Sequence, residues 1–280
     1  MEMEREAREL TPSRPGEGSL LTRAASHFSA REETLLGLIG LAGFLAVWQY
    51  LGDSGLIDPR MISTPSRVLA QGFGMIENGE LWVHVSVSMT ELFWGLALSI
   101  AIGIPLGFLI GWYRTADHLL NPYVSVLLVV PIVAFFPLLV TWVGLGIESK
   151  VAIVFLGAVV YVLVNTMTGT RTIDQSLLTA ARSFGANDWQ VFTTLALPHS
   201  APFILSGIRL GVGVGMVGVV VGEFFASTSG LGYTIVRAGN AMNADLLFTS
   251  LAVIVIIGVF LTEILKKVEA RVGSWRPERT

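Results

Sequence analysis

The chain has 280 residues, 52% of them hydrophobic and only 14% charged, with a mean hydropathy of +0.67, whereas a soluble domain carries about 25% charged residues. This composition predicts a polytopic membrane protein and leaves no room for a large soluble domain. The formal net charge of -3 comes without a basic stripe, which argues against nucleic acid as a partner, and the lack of cysteine excludes disulfides, thiolate metal sites and cysteine nucleophiles.

Residues 1–33 are polar and rich in Glu and Arg, with Pro12, Pro15, Gly16 and Gly18. They read as a mostly disordered cytoplasmic tail and lack the apolar core and cleavage site of a signal peptide. Residues 34–52 carry no charge and match the roughly 20 residues needed to cross a hydrocarbon core, so they form the first span. Residues 53–83 read as a loop with Pro59 and Pro65. Within it an amphipathic piece at 65–76 either lies at the outer interface or acts as a spacer. Residues 92–113 form the second span, with Pro105 tolerated inside the membrane. Residues 119–147 are uncharged for longer than one crossing requires and contain Pro122, Pro131 and Pro137, which predicts a bent or broken third span. The fourth span covers 151–170, with Asn165 as its polar interior residue. The fifth covers 202–223, opening with Pro202 in its first turn. Gly207, Gly211, Gly215, Gly218 and Gly222 recur along it largely at intervals of four, which permits close backbone approach in lipid. The sixth span is 246–265, followed by Lys266, Lys267 and Arg271 and by a short cytoplasmic tail over 272–280.

The fourth and fifth spans are joined by residues 174–198, which read as two short helices with a glycine break. Asp174 is placed to cap the first, and Leu177, Ala181 and Phe184 fall on one of its faces. Gly185 ends it. Asn187 then caps the second, with Gln190 in capping-box position and Trp189, Phe192 and Ala196 as its apolar stripe. Periodicity leaves two readings open: an interfacial connection lying on the membrane surface, or a docking pair for a partner's groove.

Within this loop Ala180-Ala181-Arg182, Gly185-Ala186 and Leu197-Pro198 resemble the "EAA" loop of permease subunits of ABC importers, with flanks most similar to the nitrate/sulfonate/taurine branch. Further matches are Pro137-Leu138 with Trp142, Gly144 and Gly146, and Ser229-Gly230-Leu231-Gly232-Tyr233; the resemblance spans about 64–271. Two positions depart from the family's pattern: Thr179 stands where its loop usually has glutamate, and Glu91 where arginine is common. The resemblance implies an all-α integral membrane protein of six transmembrane helices, with the type I ABC importer permease architecture and a cytoplasmic coupling-helix loop. Leu177, Ala180, Ala181, Arg182, Phe184, Gly185, Ala186, Leu197 and Pro198 would be its coupling residues. It also implies a second copy of the chain, two copies of a separate ATPase subunit carrying ATP and Mg, and an extracytoplasmic solute-binding protein. The solute would be a small anion such as a sulfonate, taurine or nitrate.

The chain carries no phosphate-cradling GxxxxGK[ST] loop, so its energy must come from another polypeptide or an ion gradient. A gradient-driven secondary transporter would be expected to bring internal repeats and midplane ionisable residues. A membrane-embedded enzyme would need convergent His, Asp and Glu. Neither pattern is visible, and the four histidines have no metal-ligand spacing. With the N-terminus inside, thirteen Lys and Arg are cytoplasmic, against Arg60, Arg67, Lys150 and Arg237 outside, which puts both termini and the 174–198 loop in the cytoplasm of an inner-membrane protein. The translocation path is expected along the third and fifth spans. Phe135, Phe136 and Pro137 would form a hydrophobic gate, Gly211, Gly215 and Gly218 a small-residue lining, and Glu223 an outer gate. Glu91, Arg209, Glu223 and Glu263 lie near predicted span ends, where side chains can snorkel to the interface.

Overall fold

The computed structural model describes residues 18–273, with side chains from residue 35. Contacts divide the chain at Asp58 and Pro59 into two units. In the first, α1 (Gly18–Asp53) is one continuous helix, and its segment Leu35–Asp53 is apolar enough to cross a membrane. Residues 18–33 are therefore helical, which corrects the disordered tail expected there. The run is rich in Ala, Leu, Arg and Glu and holds no proline, so nothing in it stops a helix. The rest of that tail, and the tail beyond Gly273, lie outside the described residues.

The second unit contains α2 (Pro65–Glu77), α3 (Glu80–Trp112), α4 (Arg114–Val129), a 3-10 turn at Ile132–Phe135, α5 (Phe136–Val143), α6 (Ile147–Arg171), α7 (Gln175–Ser183), α8 (Asp188–Val191), a wide π turn at Phe192–Ala196, α9 (Leu197–Ala226), α10 (Leu231–Asn240) and α11 (Ala244–Gly273). Five helices among the described residues can span a membrane, or six if the pair bent by 90° between α4 and residues 132–143 is counted as one span. The third span is thus broken as expected. Val130 and Pro131 leave the helix, and Pro137 sits in the first turn of α5, where its missing amide costs nothing.

The helix of the sixth span, α11, runs on to Gly273, past the expected end at 265, and two span starts differ most from expectation. The second span begins at Glu80 rather than 92, because Glu91 is not at a membrane surface: it is fully buried and paired, so the helix continues through it. The fifth runs without a break from Asp188, so the second half of the 174–198 loop is the first part of that span rather than a separate helix. The π turn, closed by the Leu197 amide on the Phe192 carbonyl, comes just ahead of Pro198 and loosens the backbone where that residue offers no amide. Pro202 lies inside α9.

The helix α6 is the axis of this unit, clasped between α3 and α9. On α3 the small residues Gly95, Ser99, Gly103, Gly107 and Gly111 recur every four positions and face α6. A Cβ on Gly107 would lie 2.6 Å from Thr166 Cβ and 2.7 Å from the Leu163 carbonyl. On the opposite side Gly207 and Gly218 admit the α6 backbone at Val162 and Val154. Small residues on both flanks let three helices approach to backbone contact, and in lipid this packing takes the place of a hydrophobic driving force. Gly107→Leu is therefore expected to cost about 3 kcal/mol or more, at or beyond the upper end for an overpacked core. Thermal unfolding of the detergent-purified chain checks this, and an unchanged midpoint would remove α3 from the α6 contact.

Packing also settles the reading of α2. Thr64 caps it, Pro65 opens it, and Val68 and Met75 are buried. Met75 packs with Leu81, Leu231, Ala238 and Leu246, and Thr249 Oγ donates to the Val68 carbonyl at 3.1 Å. This helix is a built part of the fold rather than a spacer.

Candidate functional site

Local chemistry builds the elbow between α6 and α9. Asp174 accepts a hydrogen bond from the Ser176 amide at 2.8 Å and starts α7. Ala186 N donates to Ala181 O and Gly185 N to Arg182 O, a Schellman closure that requires the left-handed φ of 80° at Gly185. Asn187 and Gln190 form the reciprocal capping box at 2.8 and 2.9 Å. All three local expectations are met.

Which side of the elbow is covered follows from tertiary packing. Ile173 and Ala196 are buried with Phe108 and Ile204, and Leu178, Trp112 and Phe192 pack around them. The Phe192 ring meets Phe108 edge-on at 5.0 Å and stacks on Trp189 at 5.8 Å. The expected apolar stripe of the second helix therefore splits: Phe192 and Ala196 belong to the chain's own core, while Trp189 is 71% exposed. Leu177 and Phe184 also face outward, Phe184 with 92% of its surface uncovered. Ala180, Arg182, Gly185, Leu197 and Pro198 are exposed as well, and Ala181 and Ala186 are half-buried. All nine predicted coupling residues are thus exposed or half-buried, with Leu177, Ala181 and Phe184 on one face of α7 and Arg182 on the other. Thr179, in place of the usual glutamate, spends its hydroxyl hydrogen on the Gln175 carbonyl of its own helix.

The predicted path residues are dispersed. Phe135 and Pro137 are exposed, but Phe136 is fully buried among Leu92, Leu139 and Ile153. Gly211 faces Ala158, Gly215 faces Leu92 and Val154, and Gly218 faces Val154 while bordering an apolar crevice of about 140 Å³. The exposed stripe of α9 is instead Leu210, Gly213, Val217 and Phe224. Glycine every four residues marks the face where helices touch, so the larger apolar residues are left to meet the surroundings.

Glu223 has a different place from the one expected. It is 1% exposed and accepts from Ser88 Oγ at 2.5 Å and from the Gly232 amide at 2.5 Å. Ser88 Oγ in turn accepts from the Leu231 amide at 2.9 Å, and His84 Nδ1 accepts from the Gly230 amide at 3.1 Å. Three successive amides that open α10 are thereby satisfied by side chains of α3 and α9, with a carboxylate at the positive end of the helix. Gly230 has φ 117°, and a Cβ there would collide with the Glu223 carboxylate, which accounts for the glycines of the Ser229–Tyr233 motif. Glu223 ties down this loop from within the chain.

A second buried polar group joins Glu91 to a partner that sequence reasoning missed. Lys150 Nζ lies 2.9 Å from Glu91 Oε1 and 2.9 Å from Ser227 Oγ, with both charged side chains less than a tenth exposed. Lys150, counted on the outer side, is thus buried in a pair rather than open to solvent; the signal in the sequence is an acid and a base each at the edge of an apolar run. Arg209 is paired with Glu269 at 3.1 Å, and Glu263 with Lys266 at 3.5 Å.

The arrangement is an apolar helical core with a capped elbow, packed on one side and uncovered at Leu177, Phe184 and Trp189 on the other. Residues 103–271 match the family described as binding-protein-dependent transport system inner membrane component. A probable ABC transporter permease protein of Brucella abortus (strain 2308) is 33% identical over 86% of this chain and 95% of its own length. The taurine transport system permease protein TauC of Escherichia coli (strain K12) is 32% identical over 88% of this chain and 91% of its own. The putative aliphatic sulfonates transport permease protein SsuC of Bacillus subtilis (strain 168) is 30% identical over 86% and 87%. Among solved structures, a chain of the inward-facing MetNI methionine ABC transporter shares the fold at a TM-score of 0.55 and 20% identity, covering 68% of this chain and 94% of that one.

Proposed function

The chain belongs to the family of binding-protein-dependent transport system inner membrane components, and from that premise we propose how this multi-pass ABC-importer permease subunit engages its partners. Two copies of a separate ATPase subunit, which carry the ATP and Mg, dock on the elbow from the cytoplasm. Two copies of the permease enclose the path, and an extracytoplasmic binding protein delivers the solute from the other side. The N- and C-termini are cytoplasmic in this reading, which the excess of Lys and Arg in the inner segments supports.

The observation that carries this reading is the elbow itself. Leu177, Phe184 and Trp189 are apolar, largely uncovered and grouped around Gly185, while Ile173, Leu178 and Ala196 anchor the elbow's other side in the core. A large unshielded aromatic on a rigid, capped turn marks a protein contact. Such a turn moves as one piece with α6 and α9, which is what transmission of an ATPase stroke into the membrane requires.

The path runs along the surfaces left open beside the broken third span. Phe135 and Pro137 line it together with the Leu210, Gly213 and Val217 stripe of α9, and Gly218 borders it at the crevice. Phe136, Gly211, Gly215 and Glu223 support the lining from inside the chain. The solute is a small sulfonate, taurine or similar anion, in keeping with the names of the TauC and SsuC relatives.

The test is a pull-down of the tagged chain from detergent-solubilised native membranes. A stoichiometric companion carrying GxxxxGK[ST] is expected. A chain that purifies alone and still takes up solute on an ion gradient would sink the reading in favour of a secondary transporter.

A further inference from the structure

The helix α7 has a second face. Gln175, Leu178, Thr179 and Arg182, spaced by three, one and three, lie on the side opposite Leu177, Ala181 and Phe184. That second face closes a cavity of about 440 Å³ whose other walls come from the end of α3, the start of α4 and the end of α6. Arg114, Arg171 and Arg182 line it, with Asp117 as its acid. Asp117 is paired with Arg171. Arg182 reaches Asp188 at 3.5 Å across an exposed gap. Arg114 is exposed and belongs to none of the ion pairs among the described residues. The cavity therefore holds an excess of guanidinium charge.

Trp112 is a wall of this cavity and also of a neighbouring groove of about 330 Å³. The groove is apolar along its length, lined by Pro105, Phe108, Leu109, Tyr113 and Phe192, with Trp189 and Asp188 where it approaches the elbow. It follows α3 into the membrane-spanning part of the helix, while the cavity sits where α3 and α6 end. Trp112, Tyr113 and Trp189 cluster at this level, as aromatic residues do at a membrane–water interface.

We propose that the two together form a binding site for an anionic phospholipid, with its phosphate headgroup among Arg114, Arg171 and Arg182 and an acyl chain along the Pro105–Phe192 groove. Charge complementarity selects the headgroup, since basic pockets between transmembrane helices bind acidic lipids. A soluble phosphate or an acidic side chain of a partner would leave the apolar groove unused. The headgroup lies against the face of α7 away from Leu177 and Phe184, so it holds the elbow to the membrane while leaving those two residues to the proposed ATPase surface; Arg182 and Trp189 border both sites. The proposal rests on the orientation given above only for the leaflet, the cytoplasmic one, that supplies the lipid.

The test is native mass spectrometry of the full chain in detergent, titrated with phosphatidylglycerol and, separately, with phosphatidylcholine of the same acyl chains. Phosphatidylglycerol is expected to be held at least about fivefold more tightly, Arg114→Gln to lower its retention about fivefold, and Arg114→Lys to keep most of it. Arg114 is exposed and outside every ion pair noted, so neither variant disturbs the fold. Equal retention of the two lipids, or an unchanged Arg114→Gln variant, overturns the proposal. Complete displacement of the lipid by inorganic phosphate would overturn it in favour of a free-anion site. Loss of a co-purifying ATPase in Arg114→Gln with lipid retention unchanged would overturn it in favour of a protein contact. The ATPase pull-down of the parent chain is a separate readout, so failure of the docking reading leaves the lipid result standing.

Discussion

Lys150→Met is expected to destabilise the protein by about 3–5 kcal/mol, the cost of leaving one member of a buried ion pair without its partner. Glu91 is fully buried beside the Glu223 carboxyl, so without the ammonium two acidic groups are left close together and out of reach of water. Ser227 Oγ would also lose the Lys150 donor, and with it one of the ties that hold the segment leading to α10. Glu91→Gln should cost less than Lys150→Met, because the cation keeps Ser227 and the nearby Glu223 carboxyl. The double variant Glu91→Gln/Lys150→Met should recover most of the loss, because a buried pair owes its attraction chiefly to having been desolvated already. Thermal unfolding of the four proteins in detergent gives the cycle directly. Additive losses would mean that the two side chains do not interact, and no loss in either single variant would place the pair in contact with water.

Gly185→Trp is expected to abolish co-purification of the ATPase while leaving membrane insertion intact. The φ of 80° at Gly185 lies in the left-handed region, where any side chain is strained. No atom lies within 4 Å of a Cβ placed there, so the indole would project from the elbow rather than collide with it. The fold would then survive while the docking surface around Leu177, Phe184 and Trp189 changes shape. Phe184→Ala gives a milder version, since burying a Phe side chain contributes roughly 2–3 kcal/mol. Its co-purification should fall by a factor of tens, with thermal stability unchanged because Phe184 is 92% exposed in the isolated chain. Normal ATPase recovery with Gly185→Trp would leave the elbow as a membrane-surface connection.

What was legible from residues alone is local. Asp174, Asn187 with Gln190, and Gly185 act within a few positions of themselves, so their caps and the turn follow from short-range hydrogen bonding whatever the rest of the chain does. Continuous apolar length likewise determines how many segments can cross a membrane. An uncharged run too long for one crossing, with Pro131 inside it, signals that the third breaks, although Pro122 is accommodated within α4. The family resemblance was carried by the same short stretches.

Tertiary structure decided the rest, because burial and pairing depend on residues far apart in the chain. Glu91 and Lys150 are 59 positions apart, and Ser88 and Glu223 are 135 apart; nothing in either neighbourhood says that the other will be opposite. A glycine every four residues declares that some helix comes close, but not which one. In α9 that helix is α6 of the same chain, which turned the expected path lining into core and left Leu210, Gly213 and Val217 outside. The amphipathic period likewise could not show which side of the elbow the chain keeps for itself. That depended on Ile173 and Ala196 finding Phe108 and Ile204, contacts that exist only once α3, α6 and α9 have packed.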